Sequence, residues 1–328
     1  MQTLGLIMRA VTFHEHGGTD VLQVDEIDRP AVGAHRVLIE VAAAGVNPVD
    51  TYFREGSYEP FELPYTPGVD FAGTVVEAGD HVSGFEPGDR VFGTGLGGFA
   101  YHGGYREYAD VPSDRVVHLP DGVDMVEAGA AGVAAVTAWR VLVDHAELDP
   151  AEHCLVHGAS GGVGHAAVQI AAAMGGHVIA TASPAYHDHL EALGADVVFD
   201  YSRDDLKDAV LDASDGGVDV IYDHRLDDYL QFDAEVAATG ARVVGIGEND
   251  PEVGFTNDGV ARSKDVNYQF MSMFNTPDFR VPLEGLAFLM DRGDLTIEIA
   301  ETYGLDEAAE AQRAVMEDSF LGKLVIVP

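Results

Sequence analysis

His157-Gly158-Ala159-Ser160-Gly161-Gly162-Val163-Gly164 is the stretch whose reading decides the fold. It follows the apolar run Cys154-Leu155-Val156 and leads into an alanine-rich segment, residues 164–174, with a further apolar run at Val178-Ile179. Strand, glycine-rich turn, helix and next strand is the order of a dinucleotide-binding unit. Small side chains let the backbone approach a pyrophosphate, which rests on the helix N-terminus and its free N–H groups. Gly164 lets the helix lie close on the sheet. The same residues also spell Gly158-x-Ser160-x-Gly162, the turn that carries a hydrolase nucleophile. A hydrolase of that order needs an acid and then a histidine after the serine. The last histidine is His224, and Asp219 and Asp223 before it belong to one strand-like run. The dinucleotide reading is therefore preferred.

The acceptor for a ribose 2′-hydroxyl is expected about 20 residues after the turn, at the end of the second strand. That place reads Thr181-Ala182-Ser183-Pro184, without Asp or Glu. A carboxylate there repels a 2′-phosphate, whereas a serine hydroxyl donates to one, so NADP is favoured over NAD. Ser183 followed by Pro184 is equally a helix start, with serine as the cap and proline in the first turn.

Outward from the turn, residues 126–265 alternate helical stretches with short β-branched runs, the pattern of a doubly wound parallel sheet. Residues 8–125 read instead as strands and turns. Residues 37–41 alternate apolar and polar, turn signals stand at Pro67-Gly68, Ser83-Gly84 and Pro87-Gly88-Asp89, and residues 93–104 form a glycine-rich loop. After residue 266 the pattern is mixed and ends in a strand-like run, residues 323–327. Residues 1–7 precede a first strand at Met8-Arg9-Ala10-Val11 and read as an extension or a misplaced start, without the basic start of a signal peptide.

Composition narrows the function. The 328 residues hold 56 acids against 18 Lys and Arg, a formal net charge of −38. Lys207, Lys264 and Lys323 are the only lysines. So negative a surface repels nucleic-acid backbones and anionic membranes. The acids are dispersed rather than gathered in a tail, and such self-repulsion is relieved in molar salt. The expectation is a cytoplasmic protein of a high-salt organism. No apolar run is expected to reach the roughly 20 residues of a membrane span. One cysteine, Cys154, excludes an internal disulfide and a cysteine-rich metal site, and reads as a small buried residue. Neither His14-x-His16 nor His187-x-His189 comes with a third metal ligand.

Three segments carry a family resemblance: Ala44-Gly45-Val46-Asn47-Pro48-Val49-Asp50-Thr51-Tyr52, Leu63-Pro64-Tyr65-Thr66-Pro67-Gly68, and His157 through Gly164. Together they resemble the zeta-crystallin-type NADPH:quinone oxidoreductases of the medium-chain dehydrogenase/reductase superfamily. The resemblance runs over residues 8–328 and includes Met273-Phe274-Asn275 and Gly322-Lys323. It implies an α/β fold, with a GroES-like β-rich catalytic domain (residues 1–125 and 266–328) and a Rossmann doubly wound parallel-sheet domain (residues 126–265). It also implies a homodimer or homotetramer.

By the resemblance, Asn47 and Tyr52 line the nicotinamide and acceptor region. Ser160, Gly161, Gly162 and Val163 contact the NADPH pyrophosphate. Ser183 and Tyr201 flank the adenosine phosphate, while Ile246, Gly247, Met273 and Phe274 border the nicotinamide. Zinc-dependent alcohol dehydrogenases of the same superfamily place a Cys where this chain has Asn47 and a His where it has Val69. Without those ligands, and with one cysteine in all, neither zinc site of those enzymes forms. The implied activity is NADPH-driven reduction of a quinone-like acceptor without metal. An NADP-binding sensing or structural protein with little turnover is the alternative reading. This chain departs from the family pattern in having only His187 where many relatives carry a Lys, and in residues 223–229, whose Asp227 and Asp228 repel cofactor phosphates if they face them.

Overall fold

The computed structural model describes residues 6–96 and 100–328. The chain divides into two compact units, one made of the residues up to Val133 together with Pro277–Pro328, the other of Ala134–Thr276.

In the first unit the strand Arg36–Val46 is the centre of a seven-stranded sheet. Its buried Val37, Ile39 and Val41 pack with Phe71, Val75 and Val91 of two neighbouring strands, Phe71–Ala78 and Arg90–Gly93. At its far end Ala44, Gly45 and Val46 pair antiparallel with Ile326, Val325 and Leu324 of the C-terminal strand Lys323–Ile326. That register sets Lys323 beside Asn47, the residue that starts the helix Pro48–Glu55. The helix begins at Asn47 for local reasons: Pro48 fills its first position and the Asp50 carboxylate accepts from the Asn47 N–H at 3.0 Å. Gly56, in the left-handed region at φ 84°, ends it.

The second unit holds six parallel strands: β1 (His153–Val156), β2 (His177–Ala182), β3 (Val197–Asp200), β4 (Val218–Asp223), β5 (Ala237–Gly245) and β6 (Asn267–Phe270). Their order in the sheet is β3-β2-β1-β4-β5-β6. It reverses between β1 and β4, and ligands of such sheets bind outside the carboxyl ends of the strands at that reversal. The helix α1 (Gly162–Ala173) follows β1 and buries a row of alanines with Val168 and Ile170. Cys154 is fully buried in β1, and burial pushes its thiol up to about 12, which leaves it unreactive.

The units divide somewhat beyond the expected boundaries at 125 and 265. The first division falls inside the helix Met125–Trp139, and β6 still belongs to the parallel sheet. The expectation that no run reaches membrane length needs correction. Met125–His145 is one 21-residue helical run, long and apolar enough to cross a membrane, with Arg140 and Asp144 interrupting its pattern. In the fold 72% of its apolar window is buried, as in a core helix. Of the expected loop 93–104, Gly93 closes a strand, residues 94–96 and 101–103 run without regular structure, and residues 97–99 lie outside the described residues, as do residues 1–5 of the expected extension.

Candidate active site

The glycine-rich turn leaves β1 through His157 and enters α1 with Gly161 as the helix cap. Gly158 has φ 59°, and a Cβ there would stand 2.4 Å from the His224 ring, so glycine is required twice over. At Gly164 a Cβ would lie 2.4 Å from the Gly158 carbonyl oxygen, which is the close helix–sheet approach expected of that residue. Among the described residues, a Cβ at Gly161 would meet only that same oxygen, at 3.4 Å. Helix α1 therefore presents its N-terminal amides on a turn stripped of side-chain bulk, the arrangement that receives a phosphate.

At the end of β2, Ser183 is half-buried and caps the short turn Pro184–Tyr186 by position, yet its hydroxyl makes no capping hydrogen bond. The helix-cap reading of Ser183 thus gains the place but not the bond. His187 reaches back to the Ala182 carbonyl oxygen (3.1 Å). Tyr201, 51% exposed, directly follows β3. The nearby Arg203 is committed to a two-pronged pair with Asp205 at 2.6 and 2.9 Å.

Beside the turn at the sheet's reversal lies a buried polar cluster. His157 Nε2 meets Asp233 Oδ1 at 2.9 Å, and His157 Nδ1 meets Thr181 Oγ1 at 3.3 Å. Asp223, the last residue of β4, accepts from the Arg225 N–H at 2.7 Å. Burial holds the His157 and His224 imidazoles down at about 4, so both are neutral at pH 7. Ile246 donates its N–H to the Asp223 carbonyl, and Gly247 accepts from the Leu226 N–H, which brings both to the same strand ends. Met273, buried, and Phe274, half-buried, form a short turn after β6.

In the first unit Asn47 is 2% exposed and both ends of its amide are engaged. Its Nδ2 donates to Asp70 Oδ2 at 2.8 Å, and its Oδ1 accepts from Lys323 Nζ at 2.6 Å. Asp70 also accepts from Thr94 Oγ1 and the Val133 N–H, both at 2.7 Å. Asp50 gathers the N–H groups of Gly68 and Val69 and the Tyr105 hydroxyl, each at 3.1 Å. Burial, then the neighbouring Asp70, pushes Asp50 up to about 7; burial raises Asp70 too, against the pull of Lys323. Tyr52, on the helix that Asn47 starts, is half-buried and edge-on to Tyr58 at 5.8 Å.

Comparison with known proteins places this geometry. Residues 33–121 match the alcohol dehydrogenase GroES-like domain and residues 193–326 the zinc-binding dehydrogenase family. The quinone oxidoreductase of Lama guanicoe is 36% identical, covering 100% of this chain and 99% of that protein. This chain belongs to the quinone oxidoreductase family. Among solved structures, an NAD-dependent alcohol dehydrogenase superposes with TM-score 0.90 at 28% identity, over 98% of this chain and 100% of that one. The Escherichia coli quinone oxidoreductase complexed with NADPH does so with TM-score 0.85 at 26% identity, over the same shares.

Within this quinone oxidoreductase family member, Ser160, Gly161, Gly162 and Val163 fall on one turn, with Ile246 and Gly247 beside the neighbouring strand end. The hydrolase alternative fails on two counts. Among the described residues, Ser160 is not one of the strained positive-φ positions, and His224 Nδ1 has no hydrogen-bond partner and hence no orienting acid. Asp227 and Asp228 are both paired with Arg225, the second at 2.5 Å, so one of their two negative charges is offset. Asn47 is buried, with its amide engaged by Asp70 and Lys323 at the start of the helix that carries Tyr52. Sequence reasoning missed Asp70 and Lys323 as its partners, and the His157–Asp233 contact. Lys323 was visible as one of three lysines and within the Gly322-Lys323 pair of the resemblance, but not as a partner of Asn47.

Proposed function

We propose that this chain is an NADPH-dependent oxidoreductase that reduces quinones or similar easily reduced carbonyl acceptors without a metal ion. The observation that carries the reading is the open glycine turn at the sheet's reversal, together with a second strand that ends in Ser183 and no acid. The residues fit NADPH: the turn leaves room for a pyrophosphate against the α1 amides, and the Ser183 hydroxyl, which makes no capping bond, suits a 2′-phosphate. NADPH, when bound, supplies the reducing equivalents. Ser160, Gly161, Gly162 and Val163 hold the pyrophosphate. Ser183 and Tyr201 donate to the adenosine phosphate, with His187 beside them. Ile246, Gly247, Met273 and Phe274 bound the nicotinamide side, and Tyr52 borders the acceptor. Asn47 positions the helix that carries Tyr52.

Metal independence rests on the donors. Asn47 and Val69 stand where zinc enzymes of the superfamily use Cys and His, and the Lys323 ammonium already sits on Asn47 as the balancing cation. The proposed assembly is a homodimer or homotetramer, which light scattering at high salt measures. Steady-state oxidation of NADPH by a small benzoquinone tests the activity. Turnover supports the enzyme; tight NADPH binding without turnover favours the sensing or structural alternative.

Cofactor preference is tied to Ser183. NADPH is expected to bind more tightly than NADH, by less than in relatives with a lysine near His187. Ser183→Asp sets a carboxylate against the phosphate and offers NADH a ribose acceptor. It is expected to shift the ratio of the two Kd values toward NADH by roughly a hundredfold. Titration of both variants at one fixed high salt checks this. Tighter NADH binding by the unaltered chain sinks the NADP assignment, and an unchanged ratio reduces Ser183 to a helix cap.

A further inference from the structure

We propose that Asp223, Asp233 and His157 form a proton-holding support that positions the glycine-rich turn, so that tight NADPH binding depends on a proton shared between the two carboxyls. The inference rests on the NADPH reading above and adds positioning residues to it. All three side chains are fully buried. They come from three elements: the end of β1, the end of β4, and the helix Leu226–Val236. His157 joins them to the turn, because Thr181 Oγ1, at 3.3 Å from its Nδ1, also accepts from the Gly158 N–H at 3.4 Å.

The two carboxyls lie within hydrogen-bond reach of each other, and each keeps its Oδ2 without another partner among the described residues. Two carboxylates cannot face each other in a buried site without a proton between them. Among the described residues, the groups that face them supply no uncommitted cation. Tyr229 stacks on the His157 ring at 4.1 Å and 6°. Tyr222 precedes Asp223 on β4, Tyr268 comes from β6, and His224 is neutral. The nearest guanidinium, Arg225, is committed to Asp227 and Asp228. Losing the proton therefore leaves two adjacent, unbalanced negative charges next to the turn that receives the pyrophosphate.

Burial and mutual repulsion hold both carboxyls above the usual range, Asp223 at about 8. A raised value in the folded chain means the support is intact at neutral pH and is lost as pH rises through about 8. The test is an NADPH fluorescence titration from about pH 6.5 to about pH 9.5 at fixed high salt, with hydrogen-exchange protection of residues 157–164 in the ligand-free chain, corrected for intrinsic exchange. The unaltered chain is expected to lose affinity by up to about tenfold per pH unit above pH 8, and to lose turn protection over the same range. In Asp233→Asn the amide supplies a permanent N–H, and both profiles should flatten. A pH-independent Kd and protection in the unaltered chain, or unchanged profiles in Asp233→Asn, overturn the proposal. If Asp233→Asn does not fold, Asp223→Asn replaces the same proton and is read the same way. Failure to bind NADPH at any pH overturns the cofactor reading instead, and the exchange arm still decides this one.

Discussion

Lys323→Met is expected to lower the melting temperature by roughly ten degrees and to abolish most activity. The ammonium is 4% exposed and donates to the Val46 carbonyl and Asn47 Oδ1, both at 2.6 Å. It is the cation that balances the buried Asp70 and Asp50. Removing one member of a buried ionic network strands its partners, which typically costs about 3–5 kcal/mol. Total stabilities run only about 5–15 kcal/mol, so the loss is a large fraction. The pH dependence has a definite sign. Without Lys323 both carboxyls, already raised by burial, rise further, and a protonated pair needs no cation. The variant should therefore approach the unaltered chain near pH 5 and fall progressively behind as pH rises through about 7, where Asp50 stands. Asp70→Asn in the same chain should recover much of the loss, as a double-mutant cycle measures. Equal destabilisation at all pH values would mean that Lys323 acts through packing alone.

The second large effect is that of salt. The melting temperature should rise by well over ten degrees between low salt and molar KCl, since the Debye length shrinks from about 10 Å at 0.1 M to about 3 Å at 1 M. The structure sharpens the argument that composition began. Arginines such as Arg36, Arg203, Arg225, Arg242 and Arg280 are already paired with carboxylates. With 18 Lys and Arg against 56 acids, 38 negative charges remain that they cannot offset (56 − 18). Screening by salt is then the remaining means of relieving their repulsion. A melting temperature insensitive to KCl contradicts this, and saturation at low concentration indicates specific cation binding.

What could be read in the sequence follows from distance along the chain. The turn from His157 to Gly164 is local: strand, glycines and helix are contiguous, so both the fold and the role of Gly164 were legible. The β6 strand was missed as part of the parallel sheet because four residues carry little periodicity. The networks were hidden for a different reason. Lys323 meets Asn47 across 276 residues through strand pairing, and His157 meets Asp233 across 76 through helix–sheet packing. Such pairs exist only once the register is set. Asn47 was placed in the site by resemblance, but its saturation by Asp70 and Lys323 has no sequence signature. Arg225 beside Asp227 and Asp228 was local, and it offsets one of the two charges on which the expectation of repulsion rests.

The proposed activity is reduction by a bound nicotinamide without a metal ion. It is tested most directly by NADPH:benzoquinone turnover of the purified chain in high salt, before and after exhaustive chelation, with metal content measured on the same samples. Equal turnover is expected in both, with bound zinc far below one per chain. Stoichiometric zinc removed together with activity, or no NADPH oxidation by either sample, would contradict it.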